Sequence, residues 1–339
     1  MGRSGRKKEL IVIVLTLLLV ALSGCAKHYG AEKEDTLTPT DENLIVVGVS
    51  QVGSESVFRT ANTASIQRVF TKENGYFLIF NNARQKQENQ IKALRSFISQ
   101  RVDYIVFSPI KEDGWDTVLQ EAREAGIPVI LIDRKVNVQD QSLYTTWIGS
   151  DFYKEGRLAA ETLAQCLEDQ GRLNDSIRIV VLQGTKGATA TIGRTEGFDE
   201  IASQHENWMI LDRADGEFTT AKGKEEMAKL LEKYKDIDVV ISQNDDMTFG
   251  ALEAIADAGK TPGMDGDMIV ISFDAVKSAL ELVAEGVITA DIECNPNQGE
   301  YAEAAIRKME EKKPVAKLYF VPEGVYTREN VQEALQEES

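Results

Sequence analysis

Histidine and cysteine are the scarcest reactive residues in this 339-residue chain, at two and three. With so few, no cysteine–histidine cluster has the spacing of a zinc site. His28 falls in a polar segment near the amino terminus and His205 in the polar stretch ASQHENW, where a solvated side chain is expected, not a general base. Also lacking are the phosphate-cradling loops G-x-x-x-x-G-K-[ST] and G-x-G-x-x-G, and Gly48-Val49-Ser50-Gln51-Val52 lacks the final glycine of a nucleophile elbow. Asp265 and Asp267 in GMDGDM are followed by too few oxygen ligands for a calcium loop and read as a turn. The adjacent acids Asp245 and Asp246 diverge at a helix start, so they do not flank a glycosidic bond. No metal, no cofactor and no enzymatic turnover is expected. Positive charge is short too: 38 Lys and Arg against 55 Asp and Glu leave a net −17. A surface of that sign repels phosphate backbones, which excludes nucleic acid as a partner.

Long hydrophobic runs are confined to one place. MGRSGRKKELIVIVLTLLLVALSGC sets Arg3, Arg6, Lys7 and Lys8 before 13 mostly apolar residues, Leu10 to Leu22. That run is short for a membrane span and suits an export leader. Leu22-Ser23-Gly24-Cys25 resembles the bacterial lipobox, so residues 1–24 are expected to be a lipoprotein signal peptide and Cys25 the lipidated amino terminus of the mature chain. Removing the leader takes the charge to about −20. The stretch AKHYGAEKEDTLTPTDEN is polar and charged, and as a flexible tether over residues 25–43 it spans roughly 20 to 25 Å. Cys166 and Cys294 read as buried thiols, although one disulfide is arithmetically open.

The chain as a whole has the composition of a folded protein, with 42% hydrophobic residues and room for about two domains. LIVVGVS, FLIF, YIVFS, PVILI, IRIVVLQ, DVVISQ and MIVISF are apolar throughout, the mark of strands buried on both faces. Helical spacing separates them: in NQIKALRSFISQ, Ile91, Leu94, Phe97 and Ile98 share a stripe, and in AREAGIPVILI Gly126 follows a helix while Pro128 opens a strand. Regular alternation of strand and helix implies α/β architecture with two doubly wound parallel sheets.

The strands share one further property. They end in Ser50, Ser108, Asp133 with Arg134, Gln183, Asn244 with Asp245, and Phe273 with Asp274. Each alone reads as a turn residue or cap. Together they line the carboxyl edge of the sheets, where open α/β folds bind ligands. A carboxylate beside a guanidinium offers acceptors and a rigid fork of donors, which suits the hydroxyls of a small polyol. Phe58 and Phe218, in loop-like stretches, supply apolar faces for a sugar ring or else fill the core.

GVSQVGSES followed by Phe58-Arg59, then QKQENQIKALRSFISQ, PVILIDR, LQGTKGATA with GRTEGF, DGEFTTAKGKE and SQNDDMTFGALEAI form an ordered set over nearly all the mature chain. In this set the chain resembles the type I substrate-binding proteins of bacterial ABC sugar importers, the ribose-binding and galactofuranose-binding group. The resemblance implies two lobes joined by three crossovers, with residues 44–149 plus 294–320 in the N-terminal lobe and 150–293 plus 321–339 in the C-terminal lobe. It implies ligand contacts from Asp133, Arg134, Arg194, Asn244 and Asp274, aromatic walls from Phe58 and Phe218, and a specificity loop holding Ser54, Glu55 and Arg59. Glu293 stands where ribose binders resemble a glutamine contact, and Phe58 stands where galactofuranose binders resemble a tryptophan. The expected ligand is a monosaccharide, galactofuranose first, then arabinofuranose, ribose or pyranose galactose. The expected setting is a monomeric lipoprotein on the extracytoplasmic face of the cell membrane, delivering sugar to an ABC permease. A sensor of the same fold that signals to a membrane kinase or chemoreceptor is the alternative.

Overall fold

The computed structural model describes residues 43–337. The leader, the lipidation site Cys25 and nearly all of the tether lie outside the described residues.

Twelve strands follow in chain order: β1 (Ile45–Gln51), β2 (Tyr76–Asn82), β3 (Tyr104–Phe107), β4 (Val129–Ile132), β5 (Thr146–Gly149) and β6 (Ile177–Gln183), then β7 (Trp208–Asp215), β8 (Val239–Ser242), β9 (Ile269–Asp274), β10 (Ala290–Glu293), β11 (Leu318–Phe320) and β12 (Val325–Thr327). They form two six-stranded sheets, ordered β11-β5-β4-β3-β1-β2 and β12-β10-β9-β8-β6-β7. Every pairing is parallel except that of β10 with β12.

Each sheet is covered on both faces, which is why its central strands are apolar throughout. In the first lobe Phe97, Phe107, Trp115 and Trp147 pack between the sheet and the helices Gln87–Gln100 and Asp116–Glu124. Val47, Val49, Ile66 and Ile306 fill the opposite face under Val57–Val69 and Gln298–Glu310. The second lobe repeats the plan, with Phe152–Asp169 and Thr189–Ala202 on one face and Thr220–Lys233 and Asp245–Asp257 on the other. Full burial of a side chain such as Leu131 or Ile241 contributes about 1.5–3 kcal/mol.

Strand β2 departs from the sequence expectation: only Tyr76 is buried, and Phe77 is 54% exposed. As an edge strand bonded to β1 alone, it carries FLIF with one face half open. In the second sheet the edge strand β7 mixes apolar and charged residues and gave no strand signal, nor did the four-residue strands β5 and β10.

The chain passes between the sheets at residues 150–151, 294–297 and 321–324. These crossings bond to one another and to the flanking strands: the Val321 N–H donates to Gly149 O at 2.9 Å and the Glu293 N–H to Gly324 O at 2.9 Å. The lobes also meet on the far side of the cleft. The Val57 N–H donates to Asp246 Oδ2 at 2.8 Å, the Glu112 N–H to Gly187 O at 3.2 Å and the Lys135 N–H to Thr189 Oγ1 at 2.9 Å.

Candidate functional site

At the carboxyl end of β4 the backbone turns through Asp133 at φ +60°, a conformation that side-chain-bearing residues adopt only under constraint. The constraint is visible: the Asp133 N–H donates to Ile148 O at 2.8 Å, and Trp147 Nε1 donates to Asp133 O at 3.1 Å. The fixed carboxylate accepts from Arg59 Nη2 at 2.7 Å and Ser108 Oγ at 2.9 Å, with Arg134 Nε at 3.8 Å. Arg59 enters from the first turn of the helix Val57–Val69, whose cap Ser56 accepts the Arg59 N–H at 3.0 Å. Its fork also reaches Gln51 Oε1 at 3.1 Å and Glu55 Oε1 at 3.5 Å. Arg134 donates to Ile110 O at 3.0 Å and lies 5.3 Å over the Phe218 ring. Burial works against ionisation of Asp133, but the two guanidinium groups outweigh it and hold the carboxyl below its usual range. Burial and the neighbouring Arg59 bring Arg134 down to about 10.

The facing wall is built from the second sheet. Arg194, on the helix Thr189–Ala202, donates to Glu155 Oε2 at 2.6 Å, to Asp274 Oδ1 at 3.3 Å and to Gln243 O. Its guanidinium lies 4.8 Å over Phe273 and 5.4 Å over Phe152. Asn244 caps the helix Asp245–Asp257, accepting the Met247 N–H at 2.9 Å. Phe218 sits at φ +59°, its ring against Gly184, where a Cβ would fall 1.9 Å from the ring and so would displace it. Asp274 ends β9 at φ +111° and Ala275 follows at +57°. Burial raises the carboxyls here: Glu155 to about 7 despite Arg194, and Asp274 well above its ordinary range.

Glu55, Phe58, Arg59, Asp133, Arg134, Arg194, Phe218, Asn244 and Asp274 therefore line one cavity between the lobes, with Ser56, Phe152, Ala190 and Cys294 completing it. The cavity measures about 20 Å³. Phe58 is helical, not in a loop, and only 5% exposed. Glu55 Oε2 and Arg59 Nε are buried without hydrogen-bond partners. Ser54 is exposed and does not line the cavity. Glu293 accepts from the Gly324 N–H at 2.8 Å and Tyr326 Oη at 3.2 Å, and lines a separate cavity of about 360 Å³ beside the crossings. Cys294, one residue on, is the group that meets the cleft.

The sequence reading passed over Glu155, Phe152 and Cys294. For Glu155 a signal existed: the acid interrupts an apolar stripe of Phe152, Ala159, Leu163 and Leu167 on one helix. Cys166 and Cys294 are buried and unpaired. Among the described residues, Glu155, Cys294 and Glu323 bring possible metal-ligating atoms within 4.8 Å of one another. Arg194 already holds one oxygen of Glu155, while Ser150 and the Asn295 N–H hold Glu323. Burial pushes Glu323 to about 9 and raises the Cys294 thiol, which works against the anionic forms that bind a metal.

Comparison with known proteins agrees with this geometry. A family model for a periplasmic binding protein domain matches residues 47–313. The galactofuranose-binding protein YtfQ of Escherichia coli (strain K12) is 38% identical over 296 residues, covering 86% of this chain and 91% of its own. A Mycobacterium smegmatis protein solved with β-D-fucofuranose superposes with a TM-score of 0.82 at 41% identity, covering 87% of this chain and 95% of that one. The periplasmic binding component of an arabinose ABC transporter from Shewanella sp. ANA-3, bound to α- and β-L-arabinofuranose, gives 0.80 at 41% identity, with coverage of 86% and 95%. No helix among the described residues is long and apolar enough to cross a membrane.

Proposed function

This chain belongs to the periplasmic binding protein domain family, and from that premise we propose that it captures a monosaccharide in furanose form, galactofuranose first, for an ABC importer. The observation that carries the reading is the convergence of Asp133, Arg134 and Arg59 from one lobe with Arg194, Asn244 and Asp274 from the other on a single cavity. Alternating acids and guanidinium groups match hydroxyls that each donate and accept. Phe58, Phe152 and Phe218 give the apolar side of the ring its cover. Glu55 Oε2 and Arg59 Nε make no internal hydrogen bond, and Nε is 3.5 Å from Glu55 Oε1.

Entry requires the lobes to part, breaking the hydrogen bonds of Val57, Glu112 and Lys135 across the cleft while the crossings act as the hinge. Ligand then shifts the balance toward closure. Calorimetry with L-arabinose and D-galactose, competed by a locked methyl galactopyranoside, tests the ring form. A furanose binder is unaffected by the pyranoside; clear preference for the pyranoside overturns the furanose assignment. The lipobox-like sequence at Cys25 supports lipid anchoring on the extracytoplasmic face. Cys25→Ala is expected to leave the membrane fraction and still bind sugar; undiminished membrane retention would refute the anchor.

A further inference from the structure

Behind the second wall of the cleft, two carboxyl groups converge on one stretch of backbone. Asp245 opens the helix Asp245–Asp257 and Asp291 lies in β10, and both are fully buried. Asp245 Oδ2 accepts the Val276 N–H at 2.9 Å, and its Oδ1 accepts from Ser272 Oγ. Asp291 Oδ1 accepts the Ala275 N–H at 3.2 Å. Both N–H groups belong to the turn that follows Asp274, where the positive φ angles of Asp274 and Ala275 lie. Such angles persist only where the surroundings over-determine them.

The other Asp291 oxygen, Oδ2, is buried with no hydrogen-bond donor in reach, and its neighbour is the Asp245 carboxyl. Ionised carboxylates are acceptors only, so a bond between them requires a proton on one. The charged groups that face the pair are Asp274 and Arg194. Arg194 is committed to Glu155, Asp274 and Gln243 O, so it does not neutralise the pair. We propose that Asp245 and Asp291 are positioning residues, a carboxyl–carboxylate pair sharing one proton that holds the strained turn and so presents Asp274 to the ligand. This rests on the sugar-binding reading above.

Burial raises both groups, the Asp291 charge adds to the rise at Asp245, and Asp291 reaches about 7. A folded-state value above the unfolded one means stabilisation that is complete below about pH 4 and lost as pH rises through about 7. The test is calorimetry with L-arabinose and D-galactose across about pH 6 to 8.5, together with melting curves without sugar. Wild-type affinity is expected to fall at least about fivefold over that range. In Asp291→Asn an amide N–H replaces the shared proton, so affinity at about pH 6 stays within about twofold and the pH response shrinks. Asp291→Ala is expected to bind at least about tenfold more weakly at the lower pH. A full wild-type pH response in Asp291→Asn, or wild-type affinity in Asp291→Ala, overturns the pairing. If Asp291→Ala does not fold, the Asn variant decides. If the wild type binds neither sugar, the sugar reading fails separately, and the melting curves still judge the pair: Asp291→Asn should lose less melting temperature than wild type on alkalinisation, and equal losses overturn it.

Discussion

The two walls of the cleft use the same residue types in different proportions. On the first, Asp133 stands between two guanidinium groups, one of which also meets Glu55, and is held ionised below its usual range. On the second, one guanidinium, Arg194, serves Glu155 and Asp274, with Asp245 and Asp291 buried behind them, and burial raises all four carboxyls. Both walls aim their central aspartate from a strand end with positive φ. The geometry is therefore shared while the electrostatics are not: the first wall is a fixed charge pattern at neutral pH, and the second is a reservoir of protons.

The largest effect is expected where one cation answers for several acids. Arg194→Ala leaves Glu155 and Asp274 without their ion-pair partner in a buried wall, a loss of about 3–5 kcal/mol when one member of a buried pair is removed. Sugar binding should disappear in calorimetry and the melting temperature should fall clearly. Retained binding would show that the second wall does not depend on its single guanidinium.

Asp133→Ala should also cost more than about a hundredfold in affinity, but with a smaller fall in melting temperature, because Arg59 keeps Gln51 and Glu55. Equal melting losses in the two variants would erase the distinction between the walls. Acid titration sharpens it further. A depressed folded-state value means that Asp133 contributes stability above the ordinary carboxylate range, about 4, and that this is lost as pH falls through its folded value. Asp133→Asn should flatten only the acid limb of the melting-temperature profile, leaving the alkaline limb, which belongs to the second wall, in place.

The strand ends were legible in the sequence because an apolar run that stops at Asp133-Arg134 or Phe273-Asp274 has few structural uses. The two-lobe α/β architecture was legible for a related reason, since strands covered on both faces leave no alternation to misread. What escaped were contacts set by tertiary placement. Glu155 reaches Arg194 from a neighbouring helix, and Asp291 meets Asp245 only because β10 runs beside β9. The edge strand β7 escaped too, because it needs apolar residues on fewer faces than a central strand.

The smallest effect concerns a single step of register. Strand β10 pairs Glu293 with Asp274, and the Cys294 N–H then donates to Asp274 O at 3.3 Å. Successive residues of an extended segment face opposite ways, so Glu293 turns to Gly324 and Tyr326 while Cys294 turns to the cleft. Cys294 Sγ lies 3.2 Å from Ser150 Oγ, at the point where cleft and crossings meet. Cys294→Ala should weaken sugar binding by about three- to tenfold, the loss of one modest contact. Glu293→Gln keeps the acceptor for the Gly324 N–H and lies away from the cavity, so its affinity should stay within about twofold of wild type. Calorimetry on the two variants decides the register, and the reverse order of effects would put Glu293, not Cys294, against the ligand.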